Sequence, residues 1–325
     1  MRIALHIPAT ALAAASFVLS GPASAQAYPS KPVRIICSYA PGGASDVGLR
    51  LVGQKMMENG WPQIIVDNRT GAGGSIAAAA AARAAPDGYT LYQGDVGSLA
   101  LTPAMLRVTY DPVKDFTPIT NKFTFPSVLA LPVDRPANNV AELVALLKQK
   151  GDRSIYASQG IGSGGHLLGS MFAKAIGVPI THVPYKGGGQ AGPEVAAGRA
   201  DLIFSSYNSV KSFVTGGKLR LLATTSKKRM PELPSLPTMT EAGYPAVFFD
   251  VWFGLVGPAN LPAPIARKVY DDVTKALRAP EVEKKMAALG LYITPSASPE
   301  EFEQMIRTDV EHYAVVVKEA GAVVN

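Results

Sequence analysis

Most of the groups in this chain that could do chemistry are backbone groups. Val33-Arg34-Ile35-Ile36-Cys37-Ser38-Tyr39 is a short apolar run that ends in Ala40-Pro41-Gly42-Gly43-Ala44-Ser45-Asp46. A second run, Ser154-Ile155-Tyr156-Ala157-Ser158, ends in Gln159-Gly160-Ile161-Gly162-Ser163-Gly164-Gly165-His166. Both patterns predict a strand, a glycine-rich loop and the first turn of a helix. A helix start presents N–H groups without intrahelical partners and the positive end of the macrodipole, and glycine lets that backbone approach a ligand closely. Two such loops on two lobes could hold one small acid from both sides.

Side chains offer little for catalysis or metal binding. Gly160, Gly162 and Gly165 reproduce a dinucleotide-binding spacing, yet that fingerprint also needs an acidic residue about 20 positions on. None occurs from Ser154 to Pro193. There is no Gly-x-Ser-x-Gly elbow, and beyond the first 27 residues the only histidines are His166, His182 and His312. No His-x-x-x-His pair, cysteine pair or clustered carboxylate set stands at metal-ligand spacing. We therefore expect neither an enzyme nor a bound cofactor or metal. Cys37 is the single cysteine, so no internal disulfide is possible, and its apolar run predicts a buried, inert thiol.

The N-terminus gives the compartment. Arg2, the apolar stretch Ala9 to Leu19 and the small residues at Ala23-Ser24-Ala25 or Ala25-Gln26-Ala27 read as a cleaved secretory signal over residues 1–27. Its loss lowers the formal charge from +6 to +5, because Arg2 is the only ionised side chain in it. No basic stripe is present; Lys227-Lys228-Arg229 is the densest run, so nucleic acid is not an expected partner. No later apolar stretch is long enough to span a bilayer, and an exported, soluble periplasmic monomer is expected.

Periodicity places these motifs in a repeated α/β plan. A strand at 33–39, a helix from about Val47 to Met57, a strand at 63–67, an alanine-rich helix from Ser75 to Ala85 and a strand at 89–92 make the first unit. A strand at 154–158, a helix at 167–176, a strand at 180–185, a turn from Lys186 to Gly189, a short helix near Pro193 to Ala197 and a strand at 201–204 repeat it. Such units make mainly parallel sheets whose ligands bind beyond the carboxyl ends of the strands. Phe125 to Pro136 and Asp250 to Val256 are the expected crossings, giving lobe 1 residues 28–124 plus 250–325 and lobe 2 residues 125–249. Two amphipathic helices, through Ile265 to Leu277 and Phe302 to Val317, are expected to be core.

Tyr28-Pro29-Ser30-Lys31-Pro32-Val33-Arg34, the first glycine loop, Asp67-Asn68-Arg69-Thr70-Gly71-Ala72-Gly73-Gly74, Ala85-Pro86-Asp87-Gly88-Tyr89-Thr90-Leu91, His182-Val183-Pro184-Tyr185-Lys186-Gly187-Gly188 and Gly217-Lys218-Leu219-Arg220 occur in that order. With them the chain resembles the periplasmic solute receptors of tripartite tricarboxylate transporters, the Bug receptors. The resemblance implies a two-lobed α/β protein of the type II periplasmic binding kind. Such a protein closes on a small carboxylate solute and hands it to a membrane permease. A sensory receptor that presents its loaded form to a membrane kinase is the alternative, and an exported hydrolase a more remote one.

Residue by residue, the resemblance implies a site from Ala40, Pro41, Gly42, Gly43 and Ser45 on one lobe and Ser158, Gly160, Gly162, Ser163 and His166 on the other. N–H groups around Gly42, Gly43, Gly162 and Ser163 would cradle carboxylate oxygens, with Ser45, Ser158 and Ser163 adding hydroxyls. Asp46 reads as a helix N-cap, and Arg69 as a loop-ordering residue. His166 either donates to the ligand or caps its loop, and Lys186 either pairs with a second carboxylate or lies in a solvated turn. Two positions depart from the family pattern. Ser205 stands where an aspartate is common, and Asp95 stands where a hydroxyl is usual. An Asp95 that faces the cleft would draw an ammonium or hydroxyl donor and repel a second carboxylate.

Overall fold

The computed structural model describes residues 28–322. The predicted signal segment 1–27 lies outside the described residues. From Val33 onward, β-branched runs alternate with helix-forming stretches. β1 (Val33–Cys37), α1 (Ala44–Glu58), β2 (Ile64–Asn68), α2 (Ser75–Ala82) and β3 (Thr90–Gln93) come first, followed by a π-helical turn at Gly97–Leu101 that runs into α3 (Thr102–Met105). β1 lies between β2 and β3 and is parallel to both. After β4 (Phe116–Pro132) and α4 (Val140–Lys150), the plan returns as β5 (Ile155–Ser158), α5 (Gly164–Ile176), β6 (Thr181–Pro184), α6 (Gly188–Ala196) and β7 (Leu202–Ser206). Here β5 is the central, parallel strand. α7 (Tyr207–Thr215), β8 (Leu219–Thr224), β9 (Asp250–Pro258), α8 (Ala263–Leu277), α9 (Pro280–Ala287), β10 (Tyr292–Ile293) and α10 (Pro299–Glu319) complete the described chain.

The 17-residue β4 joins the halves. Its Phe116–Pro126 stretch pairs antiparallel with β9, and Ser127–Pro132 lies antiparallel between β7 and β8. Mainly parallel sheets were the expectation from sequence; each half is instead a parallel three-strand unit completed by antiparallel ladders. The physical reason is that β4 leaves one half and β9 returns to it, so neighbouring crossings must run in opposite directions. Register shifts in the β4–β9 ladder lie at Pro118/Thr120 and Asn121/Phe123. Proline is tolerated beside such an irregularity, and an extra residue there re-aims the side chains around it.

α1 begins three residues before the predicted Val47, and α6 begins at Gly188 within the predicted turn. Helix periodicity shows where an apolar face starts, whereas glycine-rich first turns carry no such face. The C-terminal stripes are core as expected: Val269, Val273, Ala276 and Leu277 of α8 and Phe302 and Ile306 of α10 are buried. The Phe302 ring packs where a Cβ on Gly254 would stand 2.1 Å from it. Truncating such a ring to alanine costs about 3–5 kcal/mol. α10 also reaches the other half, with Tyr313 edge-on to Phe249 at 5.4 Å and Lys174 Nζ donating to the Glu319 carbonyl.

Candidate functional site

The carboxyl ends of β1, β5 and β7 open on one cavity between the halves. Four helix starts meet there: Gly43 to Ser45 of α1, Ser163 and Gly164 of α5, Gly188 of α6, and Ser206 and Ser209 at the head of α7. α1 and α6 have no side-chain cap, so their first-turn N–H groups point onward unclaimed by one. Phe125 and Ser127 of β4 and Val251 and Phe253 of β9 form the floor, where Phe125 and Phe253 stack at 5.8 Å. Tyr39, Gln159 and Ser205 complete the lining, which contains no Asp, Glu, Lys or Arg. Ser205 Oγ is buried without a hydrogen-bond partner, singly so among the described residues. An orphaned hydroxyl of this kind costs about 1–3 kcal/mol unless something else meets it.

The first loop is tied down by charge. Gly42 has φ +85°, and its N–H donates to Asp46 Oδ2 at 3.1 Å. Arg50 Nε donates to both Asp46 oxygens at 3.0 Å, and Asn68 Nδ2 bridges Asp46 Oδ1 at 3.1 Å and the Tyr39 carbonyl at 2.8 Å. Asp46 is thus not the N-cap, which is Gly43; it sits inside the first turn and reaches back to the loop.

Neutral groups tie down the second loop. Ser158 Oγ accepts the Gly160 N–H at 3.0 Å, and Ser163 Oγ donates to the Gly160 carbonyl at 2.7 Å. Gly162 N–H donates to His166 Nδ1 at 3.3 Å, which requires that nitrogen to be unprotonated. The His166 ring stacks on His182 at 4.1 Å, and His182 Nε2 meets Ser158 Oγ at 2.6 Å. Burial pushes His166 down to about 4 and His182 down to about 3, His182 also through the neighbouring His166. Both imidazoles are neutral at pH 7.

The halves touch across the cavity mouth. Ala40 N–H donates to the Lys186 carbonyl at 3.0 Å, and Asn208 Nδ2 donates to the Gly42 carbonyl at 3.4 Å. A Cβ on Gly162, at φ +84°, would lie 2.1 Å from Thr102 Oγ1. Glycine there serves close approach of the two halves as well as the turn.

Residues 49–322 match the model of the tripartite tricarboxylate transporter family receptor. The chain belongs to this receptor family. The solved periplasmic binding protein BugD is 32% identical, with 91% of this chain and 99% of that chain covered at a TM-score of 0.87. An R. palustris protein solved with adipate is 30% identical at a TM-score of 0.87, covering 90% of this chain and 98% of that one. MatC from Rhodopseudomonas palustris, solved with bound malate, is 28% identical at a TM-score of 0.85, covering 89% and 100%. The two-lobed α/β binding-protein architecture is shared with these structures.

Within this receptor fold, Gly43, Ser45, Ser163 and Ser205 line the cavity, while Ala40, Pro41, Gly42, Ser158, Gly160 and Gly162 support its rim and loops. His166 caps its loop through Nδ1 and does not line the cavity. The Lys186 side chain is exposed, and its carbonyl makes the contact to Ala40. Asp95 is corrected from a cleft residue to a buried one. Its carboxylate accepts from Ser98 N at 3.1 Å, Ser98 Oγ at 3.0 Å and the Tyr39 hydroxyl at 3.0 Å, and burial pushes it up to about 6. It caps the π-helical turn and holds Tyr39, the ring that reaches the cavity. Sequence reasoning missed Phe125, Ser127, Val251 and Phe253. Their residue types do not alternate, so the signal available was strand geometry alone, which places 125 and 127, and 251 and 253, on single faces.

Proposed function

We propose that this receptor captures a small organic acid in the cavity between its halves and delivers it to a tripartite membrane permease from the periplasm, after loss of the segment 1–27. The observation that carries this reading is the meeting of four helix starts in a cavity lined by no charged side chain. Converging first-turn N–H groups stabilise an anion without a counter-ion, and the buried hydroxyls of Ser45 and Ser205 add donors. The Phe125, Val251 and Phe253 floor suits the carbon skeleton, and the unpartnered Ser205 Oγ, beside the start of α6, suits a polar group of the ligand. The solved relatives with adipate and malate support the same class. Residues 28–124 with 250–325 form one lobe and 125–249 the other in this reading, β4 and β9 being the hinge strands about which the empty form opens.

The test is thermal unfolding of the mature chain with acetate, malate, succinate, adipate, aspartate and benzoate. An acid at about 100 times its Kd adds about 2.7 kcal/mol, so at least one should raise Tm clearly. No shift with any of them, together with none for neutral amides of the same skeletons, sinks the reading.

A further inference from the structure

Lys122 is 1% exposed and forms no salt bridge among the described residues. The β4 register shift between Asn121 and Phe123 turns its side chain inward, and Asn121 Oδ1 accepts the Lys122 N–H at 2.9 Å. Its ammonium donates to Gln93 Oε1. Gln93 Nε2 in turn donates to the Ser45 carbonyl at 2.8 Å and to Ser45 Oγ at 2.6 Å. A carbonyl only accepts, so the amino side of the Gln93 amide must face Ser45 and its oxygen is left for Lys122. Ser45 Oγ therefore accepts from Gln93, and its own proton is left for Cys37 Sγ at 3.2 Å or for the cavity that Ser45 lines.

We propose that Lys122, acting through Gln93 and Ser45, is the buried positive charge that answers a bound carboxylate, and that occupancy of the cavity makes Lys122 take up a proton from water. This rests on the organic-acid reading of the cavity. Lys122 is a positioning residue: Gln93 and Ser45 stand between it and the acid, and the Ser45 O–H is the group offered to the ligand.

Burial pushes Lys122 down to about 7. The titratable groups around it do not supply a counter-ion. Cys37 on β1 is pushed up by burial and stays a thiol. Asp46 on α1 is committed to Arg50, and Asp95 beyond β3 to Tyr39 and Ser98. On the elements packed against β4, the Tyr270 hydroxyl of α8 donates to the Ser296 and Ala297 carbonyls, Tyr292 of β10 donates to Glu232, and Asp309 of α10 accepts from Trp252. An anion beside Ser45 favours the charged lysine and raises its pKa. Binding then takes up one proton above neutrality and none well below it.

The experiment measures affinity for the acids of the same panel from pH 7.5 to 9, where malate and adipate are ionised and Asp95, pushed up to about 6, has lost its proton. Wild type should weaken by up to about tenfold per pH unit between the Lys122 midpoints of the empty and the loaded protein and level off above the latter, and Lys122→Met should bind weakly with no such slope. The ¹³Cε resonance of Lys122 in wild type, followed with and without saturating acid, needs no variant. Its midpoint should move up by at least about one unit on binding. A pH-flat affinity with an unmoved midpoint overturns the proposal and leaves the cavity reading standing. If no acid of the panel binds at any pH, both fall together.

Discussion

The two glycine loops look alike in sequence but rest on different supports. Behind the first lie the ion pair of Asp46 with Arg50 and the buried, titratable Lys122 reached through Gln93. Behind the second lie neutral rings, His166, His182 and Tyr156, stacked at 4.1 and 4.8 Å. Equivalent backbone geometry can thus be held either by charge or by close-packed neutral hydrogen-bonding groups. The first support responds to base and to bound anions, whereas the second responds to acid alone.

The sharpest way to break this pairing is at the glycines themselves. Gly162→Val forces a β-branched residue into φ +84° and against Thr102. Strain of about 2–3 kcal/mol or more should cost on the order of 100-fold in affinity by calorimetry while the circular dichroism spectrum is kept. Gly43 has ordinary φ, and a Cβ there meets nothing nearer than the Ala40 carbonyl at 3.7 Å. Gly43→Ala should stay within a few-fold of wild type, and equal losses in the two variants would erase the distinction.

Removing the charged support is the next largest effect. Asp46→Ala strips acceptors from Gly42 N–H and Asn68 Nδ2, for an expected loss of about 1–3 kcal/mol in denaturant unfolding. Ser158→Ala, the neutral counterpart, should cost about 1 kcal/mol. A larger loss for Ser158→Ala would reverse the assignment of strong and weak supports.

pH separates the supports by range, not by sign. His166 and His182 have folded values near 4 and 3, below the unfolded value of about 6.5. The unfolded state therefore binds more protons in that window, and stability is whole above about pH 6.5 and is lost as pH falls toward 4 and 3. Lys122, near 7 in the folded empty protein, does the same on the basic side: stability is complete above its unfolded value and falls as pH drops through about 7. Tm against pH should show both limbs. His182→Phe should flatten only the acidic limb, and Lys122→Met only the basic one; a variant that flattened both would show a shared support.

The smallest effect belongs to Ser205, which sharpens which end of the ligand meets the start of α6. Ser205→Ala removes an unpartnered hydroxyl, so empty-state stability should hold or rise slightly, while affinity falls by about 0.5–1.5 kcal/mol. Unchanged affinity would show that the acid's polar groups do not meet Ser205.

Alternating strand and helix patterns, the two loops and the C-terminal apolar stripes were legible in the residues because each depends on spacing within about twenty positions of chain. So was the presence of two glycine-rich helix starts, which the structure brings to one cavity. Tertiary structure alone decided the rest. That Asp95 serves Tyr39 and Ser98, that Lys122 is buried behind Ser45, and that Ser205 is left without a partner depend on which strands become neighbours. In the chain, 29 positions separate Lys122 from Gln93 and 48 separate Gln93 from Ser45. Only the β4 bulge and the sheet order bring those three side chains into line. Local sequence patterns specify where a backbone turns, but the charge behind that turn is set by residues distant in sequence.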